Sequence, residues 1–261
     1  MSYKPFDLTG KVSLITGGNG GIGLGFAEAI AASGGDVVIW GTNDKKNAEA
    51  EASLKAHGRR VHVQKVNVAS EADVVAGMKD AVRAMGRIDS VFANAGIGGG
   101  AASFLEMTTE TYRKVLSVNE DGVFWTFREA CRHMVDRFKS GDRSGGSIVG
   151  VASLAAIEGA ARNQAYAATK GAVISMMKAV AVEHARYGIR ANAILPGWIA
   201  TDMTAFAQGS DVFTDKVISR VPMRRWGTPA DFGGIAVYLA SDASAYHSGD
   251  SFVIDGGYAV F

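Results

Sequence analysis

Short unbroken apolar runs alternate along this chain with longer alanine-rich stretches of mixed polarity. The runs Lys11–Thr16, Val37–Trp40, Val61–Val68, Ser90–Ala93, Ser147–Ala152, Arg190–Leu195 and Ser251–Ile254 are rich in valine and isoleucine and read as buried strands. The stretches Phe26–Ser33, Lys45–His57, Glu71–Met85, Thr109–Lys139, Tyr166–Tyr187 and Pro229–Ser241 read as helices. Several end on glycines at Gly34-Gly35, Gly58, Gly86 and Gly188, as helix C-termini favour. Ser70 is a candidate N-cap, and Gly122 a candidate break within the fourth helix.

Strands that are apolar throughout, rather than alternating with polar residues, are strands covered on both faces. Alternation with helices therefore predicts an α/β fold: a doubly wound parallel sheet of seven strands with helices on both faces. No composition shift divides residues 1–261, and no repeat of fixed period appears, so a single domain is expected. The least regular region is 198–222. Ligands sit beyond the carboxyl ends of strands in such sheets, which makes this connection a candidate substrate loop.

Composition narrows the class. With 48% hydrophobic and 20% charged residues the chain reads as an ordinary soluble globular protein. A net charge of +1 gives no electrostatic case for nucleic acid or an anionic membrane, and no apolar run is long enough for a membrane span. The N-terminal Met1-Ser-Tyr-Lys-Pro-Phe lacks a signal peptide's apolar core. Cys131 is the single cysteine; it excludes an intrachain disulfide, fits a reducing cytoplasm, and is expected to be a packed apolar residue. The five histidines show no close ligand-like spacing, so no metal site is expected.

Between the first strand and the first helix lies Thr16-Gly17-Gly18-Asn19-Gly20-Gly21-Ile22-Gly23. Glycines at such a junction let the backbone approach a dinucleotide pyrophosphate, which the helix N-terminus stabilises. Two glycine registers fit, Gly18-x-Gly20-x-x-Gly23 and Gly17-x-x-x-Gly21-x-Gly23. The second strand ends Trp40-Gly41-Thr42-Asn43, without the acidic residue that would hold an NAD ribose and without an arginine for an NADP phosphate. Lys45 and Lys46 could reach such a phosphate or equally be solvated helix residues, so NAD and NADP both stay open.

Further on stands Ser153, then Tyr166-Ala-Ala-Thr-Lys170. Four residues on a helix place Tyr166 and Lys170 on one face, one turn apart. A nearby ammonium favours a phenolate, which would bring a phenol toward neutral-pH acid/base work. Ser153 could hydrogen-bond the same reacting oxygen. With 7 tyrosines in 261 residues, chance supplies such a Tyr–Lys pair in roughly one chain in three, so its surroundings must carry the argument.

Those surroundings resemble the short-chain dehydrogenase/reductase family over nearly the whole chain. The family's Thr-Gly-x-x-x-Gly-x-Gly loop matches Thr16–Gly23, and its Asn-Asn-Ala-Gly appears as Ala93-Asn94-Ala95-Gly96, lacking the first asparagine. Its helix asparagine matches Asn119, its serine Ser153, its Tyr-x-x-x-Lys pair Tyr166 and Lys170, and its Pro-Gly segment Pro196-Gly197 with Thr201. Asn67 stands where the family usually has an aspartate toward adenine. The resemblance implies an NAD(P)-dependent oxidoreductase that interconverts a ketone or aldehyde and an alcohol by hydride transfer. Asn119, Ser153, Tyr166 and Lys170 are then the expected catalytic set. Tyr166 would be general acid/base, Lys170 would lower its pKa, Ser153 would polarise the carbonyl, and Asn119 would hold a relay water. The implied NAD or NADP contacts are Gly17, Asn19, Gly21, Ile22, Gly23, Thr42, Asn43, Asn67, Val68, Asn94, Ala95, Gly96, Pro196, Gly197, Ile199 and Thr201, with Tyr166 and Lys170. A homotetramer through the helices at 118–139 and 166–187 is also implied.

By family position, Ile157, Trp198, Met203, Phe206 and Phe213 should surround a substrate that is a small, largely apolar carbonyl or alcohol, with Glu158 and Arg162 nearby. Trp40 reads as core, and Phe124, Trp125 and Phe127 as a helix–helix contact. One alternative is a 3-ketoacyl-carrier-protein reductase, for which Arg220, Arg224 and Arg225 could face an acidic carrier. The other is a non-catalytic dinucleotide-binding regulator, against which the complete Asn119–Ser153–Tyr166–Lys170 set argues.

Overall fold

The computed structural model describes residues 4–261; Met1, Ser2 and Tyr3 of the N-terminal stretch lie outside the described residues. Among the described residues seven strands form one parallel sheet in the order β3-β2-β1-β4-β5-β6-β7. The chain runs β1 (Val12–Thr16), α1 (Gly21–Ala32), β2 (Asp36–Gly41), α2 (Asp44–Lys55), β3 (Val61–Lys65), α3 (Glu71–Met85) and β4 (Ser90–Ala93). It continues through α4 (Thr109–Leu116), a π turn at Ser117–Asp121, α5 (Gly122–Lys139), β5 (Gly146–Val151), α6 (Ala155–Glu158), α7 (Gln164–His184) and β6 (Ile189–Pro196). The last elements are α8 (Ala205–Gln208), α9 (Asp211–Ile218), α10 (Gly233–Ala240) and β7 (Ser251–Ile254).

The mostly apolar runs are inner strands of the sheet: every residue of β1, β2 and β4 is buried. Successive side chains leave a strand on opposite faces. Val12, Leu14, Val38 and Trp40 therefore join one core under α3, α5 and α7, whereas Ile15, Val37 and Ile39 join the other under α1 and α10. Trp40 is fully buried, as its apolar surroundings predict, and its indole N–H donates to Gln64 Oε1 at 2.6 Å. Burying each such large side chain contributes about 2–3 kcal/mol. Cys131 packs in the first core, and burial pushes its thiol up to about 12, the behaviour of a packed residue.

Several boundaries differ from expectation. The first helix begins at Gly21 rather than Phe26, because the glycine loop itself supplies the first helical turn. The long fourth helix breaks at Ser117–Asp121, just before Gly122, and the region 198–222 carries α8 and α9. A third, smaller apolar cluster of Leu154, Val217, Val221 and Tyr258 lies beneath that region. Trp198 packs edge-on against Phe213 and Trp226 beside it, at centroid distances of 5.4 and 5.9 Å.

The strand order reverses between β1 and β4, the switch point where such sheets open a crevice at their carboxyl ends. No helix among the described residues is long and apolar enough to cross a membrane. No group of three or more His, Cys, Asp or Glu among them is placed to hold a metal ion.

Candidate active site

A cleft of about 550 Å³ opens at that switch point, lined from the ends of β1, β4, β5 and β6. The glycine loop forms one wall. Gly17 has a positive φ of 64°, and a Cβ on it would meet Ala95 Cα at 3.1 Å. A Cβ on Gly23 would stand 2.3 Å from the Gly17 carbonyl oxygen, so only glycine lets α1 enter so close to the loop. The loop is pinned on both sides. Asn94 Nδ2 donates to the carbonyls of Thr16 and Gly17 at 3.0 and 3.3 Å, and Thr16 Oγ1 accepts the Asn94 and Ala95 N–H groups. Asn19 Nδ2 donates to Asn47 Oδ1 at 2.7 Å, tying the loop to α2. This backbone cradle beside a helix N-terminus fits a dinucleotide pyrophosphate.

The opposite side carries the candidate chemistry. Tyr166 lies in the first turn of α7 and Lys170 one turn later. The Lys170 ammonium is buried, donates to the Val151 carbonyl at 2.8 Å, and lies 5.4 Å from the Tyr166 ring centre. Ser153 follows the same strand end and lines the cleft together with Tyr166 and Lys170. The end of β5 thus holds all three groups. Desolvation brings Lys170 down from 10.5 to about 8. It also raises the Tyr166 phenol, against a lowering from Ser153. The direction is opposite to the lowering expected from Lys170: burial dominates, and the group that counteracts it is the Ser153 hydroxyl rather than the ammonium.

Asn119 is fully buried in the π turn. Its Oδ1 accepts the Ile97 N–H at 2.8 Å, and its Nδ2 donates to the Ile97 carbonyl at 2.9 Å and to Thr169 Oγ1 at 3.3 Å. A Cβ on Gly96 would meet Asn119 Oδ1 at 3.3 Å and Lys170 Nζ at 3.4 Å, so both face the segment after β4. Both polar atoms of this side chain thus clamp Ile97.

Of the expected dinucleotide contacts, Gly17, Asn19, Gly21, Ile22, Asn94, Ala95, Gly96, Pro196, Gly197, Ile199 and Thr201 line the cleft with Ser153, Tyr166 and Lys170. Gly23, Thr42, Asn43, Asn67 and Val68 lie outside that lining. Asn43 caps α2 by accepting the Lys46 N–H, and Asn67 accepts the Ala69 N–H in a local turn. Ile97, Asp202, Met203 and Thr204 line the cleft without having been expected there as cofactor contacts, and of the two lysines that could reach an NADP phosphate, Lys45 and Lys46, Lys46 lines the cleft. For Lys46 and Asp202 no local motif marks the role, since they pair across 156 positions of sequence. Of the five expected substrate-side residues only Met203 lines the cleft. Trp198 and Phe213 pack in the third cluster, while Ile157 and Phe206 are exposed.

A glycine cradle at the switch point, facing a Ser–Tyr–Lys constellation, defines an NAD(P)-dependent oxidoreductase. The chain belongs to the short-chain dehydrogenase/reductase family. A family model described as enoyl-(acyl carrier protein) reductase matches residues 17–259. Gluconate 5-dehydrogenase of Gluconobacter oxydans (strain 621H) is 33% identical over 98% of this chain and 97% of its own length. The 3-oxoacyl-(acyl-carrier-protein) reductase FabG of Chlamydia pneumoniae is 35% identical over 96% of this chain and 97% of its own. Among solved structures, a gluconate 5-dehydrogenase from Burkholderia cenocepacia J2315 in complex with NADP and tartrate superposes with a TM-score of 0.92 at 32% identity, covering 99% of this chain and 98% of that one.

Proposed function

We propose that this enzyme interconverts a small neutral ketone and its secondary alcohol, with Tyr166 as the proton donor and acceptor. The convergence of Ser153, Tyr166 and Lys170 on the cleft that holds the glycine cradle carries the reading. The dinucleotide, when bound, supplies or accepts the hydride. In reduction the Ser153 hydroxyl hydrogen-bonds the carbonyl oxygen, and Tyr166 Oη gives its proton to that oxygen as the carbon gains the hydride. In oxidation Tyr166 takes the proton back. Lys170 sets the charge beside the phenol, and Asn119 acts as a positioning residue through Ile97. Gly17, Gly21, Asn94 and Ala95 would hold the pyrophosphate side, with Thr42, Asn43, Asn67 and Val68 toward adenosine; Pro196, Gly197, Ile199 and Thr201 would hold the nicotinamide side.

The charged groups of the lining are Lys46, Lys170 and Asp202. Lys170 is engaged with the Val151 carbonyl, and Lys46 and Asp202 with each other. A neutral substrate with an apolar flank against Ile97 and Met203 therefore fits better than a carboxylate. We assign the enzyme to the cytoplasm and to a homotetramer, for which exposed Phe124 on α5 and Val182 on α7 supply apolar contact surface.

The test is a panel of ketones and alcohols assayed with NAD(H) and NADP(H) by the absorbance of the reduced nicotinamide. Tyr166→Phe is expected to abolish turnover while dinucleotide binding survives; a near-normal rate would overturn the assignment. Similarity to the oxoacyl reductase supports a second reading, which activity on a 3-ketoacyl thioester but on no free ketone would favour. The arginines that reading needs are already engaged: Arg220 with Tyr258, Arg224 with the Ser219 carbonyl, and Arg225 with Asp231.

A further inference from the structure

Lys46 of α2 and Asp202, just beyond β6, form an ion pair across the cleft, and both line it. Its setting is unusual in charge. The carboxyl end of β2 reads Gly41-Thr42-Asn43, without a carboxylate, and Asn43 is occupied as the α2 cap. The neighbouring acids are committed elsewhere. Asp44 accepts from Lys65 at 2.7 Å, while Asp36, at the opposite end of β2, is buried against Arg60 at 2.8 Å. At the adenosine side the cleft therefore presents one lysine, and the carboxylate that answers it comes from the far wall.

Resting on the reading that this cleft binds a nicotinamide dinucleotide, we infer that Lys46 and Asp202 together set its discrimination between NADP(H) and NAD(H): Lys46 takes the 2′-phosphate, and Asp202 competes for Lys46. A phosphate monoester carries nearly two negative charges at neutral pH and offers three acceptor oxygens, against one charge on a carboxylate. Its charge-assisted hydrogen bonds to an ammonium are strong ones. Breaking the existing pair costs little, because Asp202 is 86% and Lys46 46% exposed at the side chain, and exposed pairs are weak. The exchange favours the phosphorylated dinucleotide, yet Asp202 subtracts from the gain. Its charge also lies on the segment that contributes Met203 and Thr204 to the cleft, so releasing Lys46 frees that segment from α2.

The pair yields an asymmetric test by equilibrium titration of NADPH and NADH, read by fluorescence of the reduced nicotinamide. Asp202→Asn keeps the shape and removes the competing charge. It is expected to tighten NADPH by about two- to fivefold, the range of an exposed ion pair, and to leave NADH nearly unchanged. Lys46→Met is expected to weaken NADPH by about tenfold, again sparing NADH. In the double variant the benefit of Asp202→Asn disappears, because the two residues act through one another. Adenosine 2′,5′-bisphosphate, used as a competitor of NADPH, follows the same order across the variants. An unchanged NADPH-to-NADH Kd ratio in either single variant overturns the inference while leaving the cleft's assignment intact. Equal tightening of both dinucleotides by Asp202→Asn also overturns it, since that marks general repulsion of the pyrophosphate. A wild-type protein that binds neither dinucleotide overturns the assignment of the cleft and this inference with it.

Discussion

Replacing Lys170 by methionine should abolish catalysis and make the protein more stable. Lys170 is 4% exposed, and its pKa falls from 10.5 to about 8 through burial. At 1.36 kcal/mol per pKa unit, that fall is a penalty of roughly 3 kcal/mol on the folded ammonium at pH 7. Methionine keeps an unbranched apolar stem of similar reach, so little cavity forms. The Val151 carbonyl loses the partner it has at 2.8 Å, which offsets about 1–1.5 kcal/mol. The net expectation is a variant more stable by about 1–2 kcal/mol at pH 7, with turnover down by at least about a hundredfold. The sign with pH follows from linkage. The folded chain holds this proton less firmly than the unfolded chain, so between about pH 8 and 10.5 the unfolded state carries more protons and this residue contributes a rise in stability with pH. The Met variant lacks that rise, and its advantage should shrink by about 2 kcal/mol between pH 7 and pH 9.5. Urea unfolding of both proteins at the two pH values and one protein concentration measures this. A variant less stable at pH 7, or a difference that stays constant with pH, would refute the claim that the active site holds this charge against its burial cost.

Two further substitutions probe the frame around that site. Gly23→Ala puts a methyl 2.3 Å from the Gly17 carbonyl oxygen and 2.4 Å from Asn94 Nδ2, so the loop must shift; about 1–3 kcal/mol of stability and much of the dinucleotide affinity should go. Thermal unfolding and dinucleotide titration check this, and wild-type values in both would contradict the packing argument. Arg220 donates to the Tyr258 hydroxyl at 2.7 Å and lies 4.3 Å from its ring centre, joining the candidate substrate loop to the C-terminal segment. Arg220→Met should raise KM for the carbonyl several-fold at near-normal kcat and dinucleotide affinity, and Tyr258→Phe should do so more mildly; equal losses in kcat and kcat/KM would point to the chemistry instead.

Legibility in the sequence followed the range of the physics. Strand and helix alternation was readable because β1, β2 and β4 are buried on both faces and are mostly apolar, their few polar residues (Ser13, Thr16, Asp36 and Ser90) being buried as well. The start of α1 was not, since glycines argue against a helix until close backbone approach demands them, as at Gly23. Tyr166 and Lys170 were legible because one helix fixes their relation, but the direction of the phenol's shift was not, because it depends on burial contributed by distant segments. The aromatics of the substrate loop were seen, but their facing was not. Trp198 and Phe213 spend their surface on Trp226 and the third cluster, which no periodicity within the loop reveals. The pairing of Lys46 with Asp202 lies wholly beyond local pattern.

That third cluster bears on how one scaffold comes to serve different substrates. Lys170 belongs to α7, whose Val173 and Met177 are fully buried in the first core, so the geometry proposed for catalysis is held by global packing. The candidate substrate loop rests instead on Leu154, Val217, Val221 and Tyr258, a cluster separate from both cores. Substitutions there change the loop's seat without opening a cavity beneath the catalytic helix, and changes confined to separate packing units combine nearly additively. The likeness fits this division. A gluconate dehydrogenase and an oxoacyl reductase each share about a third of their residues with this chain, across nearly its full length, under names that differ chiefly in substrate. On the proposed roles, the candidate catalytic residues are tied to the main cores and the candidate substrate loop to a separate packing unit. The Arg220–Tyr258 contact, at the seam between them, is where the second can be altered while the first is left standing.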